Sequence, residues 1–248
     1  MKIKEILAFL DSFCPVNTAC EFDNVGLLVG NKNADVKRVL VALDCTMETL
    51  SEAAEKSCEL IITHHPVIFS PLKRVTDESI VFELIRRGIA VISMHTNLDM
   101  AIGGVNSCLC EKIGLEKVKT HTASDGYILQ CGEISPIGAQ EFALQLKAKL
   151  GGVVKFVDGK KTIKNVLVCS GSGGDFIAEA INGGFDALVT ADIKHHQFLT
   201  AFDNGVSLFD CGHFNTEDVV VSPLKAKLSA EFPNIEFIES HTTNIKYI

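Results

Sequence analysis

Histidines and acids gather at four places in this chain, each closely behind an apolar run. His64 and His65 follow "LIIT", and His95 and Asp99 follow "AVISM". Asp192 and the pair His195–His196 follow "ALVT", while His213 and Glu217 follow "VSLF". Imidazole with carboxylate, and no thiolate alongside, suits borderline divalent ions such as zinc, iron, manganese or nickel better than a structural cysteine-type zinc site. Adjacent residues on an extended strand point to opposite faces, so His64 and His65 cannot share one tight mononuclear site without a turn. Pro66 keeps His65 out of the helical region and sets that turn. Two imidazoles diverging from a strand end therefore suit two neighbouring ions, with Glu217 or Asp99 as a bridging carboxylate.

Taken singly, each piece has a plainer reading. A histidine at a strand end usually makes an ordinary hydrogen bond, and Glu217 would serve as a first-turn acid on a helix dipole. Their conjunction at successive strand ends carries the metal reading. His121 and His241 read as solvated.

The elements that must position these groups are legible as periodicity. "RVLVALD", "METLSEAAEKS", "LIIT", "ESIVFELIRRG", "IAVISM" and "GGVNSCLCEKIG" alternate buried strand with amphipathic helix, the pattern of βαβ units and a largely parallel sheet. The fold class is α/β, and the carboxyl ends of parallel strands line one rim where ligands bind. Residues 1–120 read as a first lobe opened by an amphipathic helix with Ile3, Ile6, Leu7 and Leu10 on one face. Residues 121–163 read as a small strand–helix–strand insert, and 164–248 as a second lobe.

The lobes look duplicated. Residues 38–65 lie over 165–192 at a constant offset of 127 (192 − 65) with no gap, so that Val39, Val41, Thr63 and His65 meet Val166, Val168, Thr190 and Asp192. "SMHTNLD" (93–99) lies over "CGHFNTE" (211–217) at 118 (213 − 95), matching His95 to His213 and Asp99 to Glu217. The glycine-rich "CSGSGGDF" (169–176) lacks the lysine of a P-loop and reads as a tight strand–helix turn. Its counterpart in the first lobe carries Asp44, placed either to cap a helix or to orient a ligand histidine.

Composition limits the function. A formal charge of −8 over 248 residues disfavours nucleic acid and anionic membrane as partners. Nine cysteines without a C-x-x-C pair read as buried apolar residues in a reducing compartment. No segment is long and apolar enough to cross a bilayer, which predicts a soluble, cytoplasmic protein.

The set "EFDNVGLLVG" (21–30), "LIITHHPVIF" (60–69), "SMHTNLD", "VTADIKHH" (189–196) and "CGHFNTE" resembles the GTP cyclohydrolase I type 2 homologues, or Nif-three-like proteins, along the whole chain. The short 121–163 stretch resembles the compact form without the large inserted domain, and Phe22 stands where relatives often have Trp. The resemblance implies an α/β protein of two related lobes with two metal ions, assembled as a homohexameric ring. It implies that His65, Asp99 and Glu217 hold one ion and His64, His213 and the same Glu217 the other, with His95 and His196 nearby. It also implies a metal-dependent hydrolase acting on a nucleotide, in the named case opening the guanine ring of GTP with loss of formate. His95 is the candidate proton shuttle, and Lys73, Arg74 and Lys194 are the candidate phosphate cations. The alternatives are a nucleic-acid enzyme or binder working inside a ring, and a non-catalytic metal-binding or scaffold protein.

Overall fold

The computed structural model describes residues 1–246, which form an α/β protein of two compact units. The first unit, Met1–Leu98 with Val221–Ile245, contains α1 (Ile3–Phe13), β1 (Gly26–Val29), β2 (Arg38–Ala42), α2 (Met47–Glu55), β3 (Leu60–Thr63), α3 (Ile80–Arg87) and β4 (Ala90–Ser93). The chain leaves it within α4 (Thr96–Met100). The second unit, Asp99–Val220 with Lys246 among the described residues, contains α5 (Val105–Ile113), β5 (Glu116–Thr122), β6 (Ile128–Ile137), α6 (Ala139–Leu150), β7 (Lys155–Val157), β8 (Ile163–Ser172), α7 (Ile177–Asn182), β9 (Ala187–Ala191), α8 (His195–Asp203), β10 (Ser207–Asp210) and α9 (His213–Glu217). Finally α10 (Val221–Glu231) and β11 (Glu236–Glu239) complete the first unit.

The first sheet runs β1-β4-β3-β2-β11, parallel except for β1. Its central strands β2, β3 and β4 are largely apolar because both faces are covered, whereas the edge strand β11, EFIE, exposes both glutamates. Leu40, Ile61 and Val91 face one core cluster, and the intervening Val39, Val41, Leu60, Ile62 and Ile92 are also fully buried. Ile3, Ile6 and Leu10 are the buried stripe of α1, with Leu7 only half-buried.

The second sheet runs β5-β6-β8-β9-β10-β7 and is parallel only at its centre, β8-β9-β10. Its residues alternate between two clusters: Val166, Val168, Val189 and Phe209 on one face, Leu167, Cys169, Leu188 and Leu208 on the other.

The duplication is visible in the registers. Val39 pairs with Leu60 in the first sheet and Val166 with Ala187 in the second, both shifted by 127. In both sheets an antiparallel strand, β1 or β7, closes the edge beside β4 or β10. The strands therefore do not follow the bounds 121 and 163. Within that stretch, β6 and β7 pair directly into the second sheet, while α6 and β7 occupy the places that α1 and β1 hold in the first repeat. Likewise the last strand, β11, joins β2 rather than the second lobe, because its partner edge lies in the first sheet.

Matching asparagines tie each repeat together. Asn97 donates from Nδ2 to the carbonyl of Cys14 at the end of α1 (2.8 Å), and its counterpart Asn215 donates to Leu150 at the end of α6 (3.0 Å). All nine cysteines are reduced, six buried and three half-buried. Burial pushes the Cys14 and Cys110 thiols up to about 12. Among the described residues no helix is long and apolar enough to cross a membrane.

Candidate metal centre

In the first unit three imidazoles meet beyond the carboxyl ends of β3 and β4. The ring centroids of His64 and His65 are 5.0 Å apart, those of His64 and His95 5.1 Å, and those of His65 and His95 5.7 Å. One ring nitrogen from each lies within 4.8 Å of the others. The turn expected before Pro66 is present, since regular strand ends at Thr63, but within it His64 and His65 bring ring nitrogens together where divergence was expected. The Thr63 hydroxyl donates to the His65 carbonyl (2.8 Å), and the His65 N–H donates to the Leu43 carbonyl (3.0 Å), which fixes that turn.

Each ring is oriented through Nδ1. His64 meets the Met94 carbonyl at 2.9 Å, His65 the Asp44 carboxylate at 2.7 Å, and His95 the Asp23 carboxylate at 2.9 Å. With Nδ1 so engaged, Nε2 is the nitrogen each ring offers a cation, the arrangement by which neighbouring acids and carbonyls aim metal-binding histidines. Asp44 thus orients a histidine, while the cap of α2 is Thr46, whose hydroxyl accepts from the Thr49 N–H. The Asp23 side chain is fully buried. Burial would raise its carboxyl, but hydrogen bonds from His95 and Thr96 outweigh that and hold it well below the usual carboxylate range.

In the second unit Asp99, His213 and Glu217 gather around Ser170 and Gly171. Asp99 and Glu217 are only 6% and 3% exposed, and one oxygen of each lies within 4.8 Å of the other. Asp99 accepts from the Ser170 hydroxyl (3.1 Å) and the Tyr127 hydroxyl (3.3 Å). Asn106 donates to the Asp99 carbonyl (3.1 Å) while accepting from the Ser170 N–H (2.7 Å), so one amide sets both. His213 sits between two carboxylates, Nδ1 at 2.7 Å from Asp192 and Nε2 at 3.0 Å from Glu217. Burial alone would lower His213, but the hydrogen bonds and charges of Glu217 and Asp192 raise it to about 9.

This donor set fits a divalent cation. In metal-free protein the His213 imidazolium stands beside Glu217 where that positive charge would be, and buried carboxylates need such a charge, because taking an ion out of water costs far more than one neutral hydrogen bond returns. The 3.0 Å between His213 Nε2 and Glu217 Oε2 also matches two ligands about 2.1 Å from one ion at a right angle. No cysteine belongs to any candidate ligand group among the described residues.

Several groups lie elsewhere. His195 and His196 open α8, exposed, and join no ligand group among the described residues. Lys194 precedes them, exposed, and Lys73 and Arg74 lie on the exposed segment after β3. His121 is not merely solvated: it meets Glu179 at 3.4 Å and packs edge-on against Phe185. His241 lies 4.0 Å from Glu239.

Sequence reasoning missed Asp23, Gly171, Ser170, Asn106 and Tyr127. The signal for Asp23 was its place in "EFDNVGLLVG". For Gly171 it was the repeat, in which this glycine stands opposite Asp44. A Cβ on Gly171 would fall on Glu217 Oε1 and within 3.2 Å of the His213 ring, so the glycine makes room for the carboxylate.

Fold and clusters together define an α/β protein with His/Asp/Glu groups able to hold metal. The chain matches the family model described as Duf34/NIF3 (NGG1p interacting factor 3) over residues 1–245, and it belongs to that family. It is 34% identical over 254 positions to a Clostridium perfringens protein named GTP cyclohydrolase 1 type 2 homolog, covering 97% of this chain and 96% of the relative. A Campylobacter jejuni protein of the same name is 35% identical over 223 positions, covering 88% of each. A crystal structure of a Staphylococcus aureus hypothetical protein superposes with a TM-score of 0.93 at 31% identity, covering 100% of this chain and 99% of that one.

Proposed function

We propose that this chain holds two divalent metal ions and uses them to hydrolyse a nucleotide, with opening of the guanine imidazole ring of GTP and release of formate as the named case. The observation that carries the metal reading is the burial of Asp99 and Glu217 side by side with His213, a cluster whose negative charge calls for a cation. In this reading His65, Asp99 and Glu217 hold one ion, and His64, His213 and Glu217 the other. When bound, such a pair supplies a water acidified toward neutrality and a Lewis acid for the bond under attack.

The chain's own residues do the rest. Asp44 and the Met94 carbonyl keep His65 and His64 in the tautomer that presents Nε2. Asp23 does the same for His95, which becomes the proton carrier, taking a proton at Nε2 from the attacking water and returning it to the leaving nitrogen. Addition of one water at C8 opens the ring, and a second releases formate. The substrate assignment rests on the relatives' name, GTP cyclohydrolase 1 type 2 homolog.

The test is metal analysis followed by turnover. Purified protein should carry two equivalents of zinc, iron, manganese or nickel and release formate from GTP, and the His65→Ala variant should release none. Metal binding without formate in the wild type would leave a metal-holding protein and end the cyclohydrolase reading. We also propose, on family likeness, a homohexameric ring in the cytoplasm; a light-scattering mass of one chain would remove it.

A further inference from the structure

Two large aromatic side chains stand in the open beside the histidine cluster of the first unit. Phe22 is 68% and Phe69 50% exposed. Single exposed apolar residues are ordinary on a protein surface, but these two are paired, with centroids 6.3 Å apart and planes inclined at 57°. Phe69 also meets the His95 ring edge-on, at 6.2 Å and 87°.

Both rings are carried on backbone that is tied down. Phe22 occupies the third position of a turn closed by the Asp23 N–H and the Cys20 carbonyl (2.9 Å). The Cys20 N–H donates to the Thr96 hydroxyl (2.9 Å), and the Asp23 carboxylate holds both the Thr96 N–H (3.0 Å) and His95. Asn24 reaches from the end of that turn to the Ile68 carbonyl, next to Phe69, at 2.6 Å. Thus one side chain joins the two aromatic segments, and the turn that presents Phe22 is fastened to the residues that orient His95. Aromatic side chains turn about only two bonds, so on a tethered backbone they have little freedom to lose on binding and their contact area goes into affinity.

We propose that Phe22 and Phe69 form a platform for the planar heteroaromatic ring of the substrate, placing that ring beside His95. Phenyl groups offer only π-faces and edges and no hydrogen bond, so a flat aromatic ring suits them better than a phosphate or a hydroxyl-rich sugar. At this tilt and spacing the rings do not form a parallel sandwich; a bound ring stacks on one and meets the edge of the other. The position against His95 selects a substrate over a partner chain, since a protein surface seated there would cover the proposed proton carrier. This platform rests on the reading of the site as one that acts on a small molecule, and it narrows that substrate to an aromatic base.

The chain has no tryptophan and two tyrosines, so a Phe22→Trp variant carries a single indole reporter on the platform itself. Its emission is titrated, in protein freed of metal by chelation, with guanosine 5′-monophosphate and separately with ribose 5-phosphate. The base-bearing probe should change the emission saturably and the sugar phosphate should not. Adding Phe69→Ala or Phe69→Leu should weaken the base-bearing probe roughly 5- to 150-fold, the range for loss of one stacked aromatic, and Phe69→Tyr should restore it. Because the Phe69 side chain is exposed, circular dichroism and Tm should stay unchanged in all three.

Equal affinity in the Leu and Phe variants, an equal response to ribose 5-phosphate, or an emission that follows protein concentration without ligand would each overturn the platform; the last would mean that a second copy covers it. The titration needs no turnover. Saturation by the monophosphate without formate release from GTP keeps the platform and removes the cyclohydrolase reading, whereas formate release with unaltered binding in the Phe69 variants does the reverse.

Discussion

Replacing Gly171 by alanine isolates the carboxylate at the centre of the second cluster. Gly171 has φ +58°, and its missing Cβ is the space taken by Glu217 Oε1. The left-handed backbone alone costs a non-glycine residue about 1–2 kcal/mol. Glu217 must also move, and the hydrogen bond it makes to His213 is charge-assisted, a class of contact that contributes about 1.5–3 kcal/mol. Because the His213 side chain is 33% exposed, the lower half of that range applies. Gly184 supplies the control: it has φ +68° and nothing within 4 Å of its Cβ position, so Gly184→Ala carries the backbone cost without the displacement. Urea or thermal unfolding of metal-free protein should place Gly171→Ala below Gly184→Ala by roughly 1.5–2 kcal/mol, or about 3–8 °C in Tm for a chain of this size. By proton NMR the His213 pKa should fall from about 9 in the first variant alone. Metal analysis should show Gly171→Ala deficient and Gly184→Ala loaded. Equal stability losses with an unmoved His213 would refute the claim that this glycine exists to seat Glu217.

Further outcomes follow from the same geometry. His213 is raised in the folded state to about 9 from an ordinary value near 6.5, so its stabilisation of metal-free protein is fully present below about pH 6.5 and is lost as pH rises through about 9, which unfolding titrations would show. Since a cation must displace that proton, calorimetry in buffers of different ionisation enthalpy should record about one proton released per chain from His213 between those limits, and affinity rising with pH. Asp44→Asn should weaken metal binding about 10- to 100-fold in chelator competition while leaving stability nearly unchanged, because Asp44 is half-exposed and acts through His65. Asn97→Ala should cost about 1–3 kcal/mol in urea, since it leaves the Cys14 carbonyl without its buried amide, and should leave metal stoichiometry intact.

The candidate ligands were legible because their residue types are expensive to place without a purpose: His64 and His65 stand directly beyond β3, Asp99 lies on the short helix after β4, and His213 and Glu217 lie on the one after β10, and strand ends can be read from apolar runs. The repeat was legible for the same reason, through buried strand residues whose registers coincide. What stayed hidden depends on contacts that leave no local pattern. Asp23 and His95 are 72 positions apart, and nothing periodic links them. The true start of the second repeat, α6 and β7, was hidden because the matched blocks begin only at residue 165. For His195 and His196 the sequence offered only their nearness to Asp192; both open α8 and join no ligand group among the described residues.

The two repeats solve one problem in different ways, and the difference accounts for Gly171. In the first, the acid after β2, Asp44, holds the histidine after β3, His65. In the second, the counterpart of His65 is itself an acid, Asp192, and it holds the histidine after β10, His213. The acid–imidazole pair has thus moved one strand along the rim. Asp192 reaches its partner from a left-handed backbone, φ +55°, which aspartate tolerates better than most residues. Once the pair has moved, the position equivalent to Asp44 no longer needs a side chain, and glycine occupies it. That vacancy admits the acid at the end of α9, which is a glutamate where the first repeat has the shorter Asp99. Glu217 and a side chain at position 171 exclude one another sterically. Glycine at one end of the repeat and the longer acid at the other are therefore a single structural change, and a Gly171→Ala, Glu217→Asp double variant should recover part of the stability that Gly171→Ala loses.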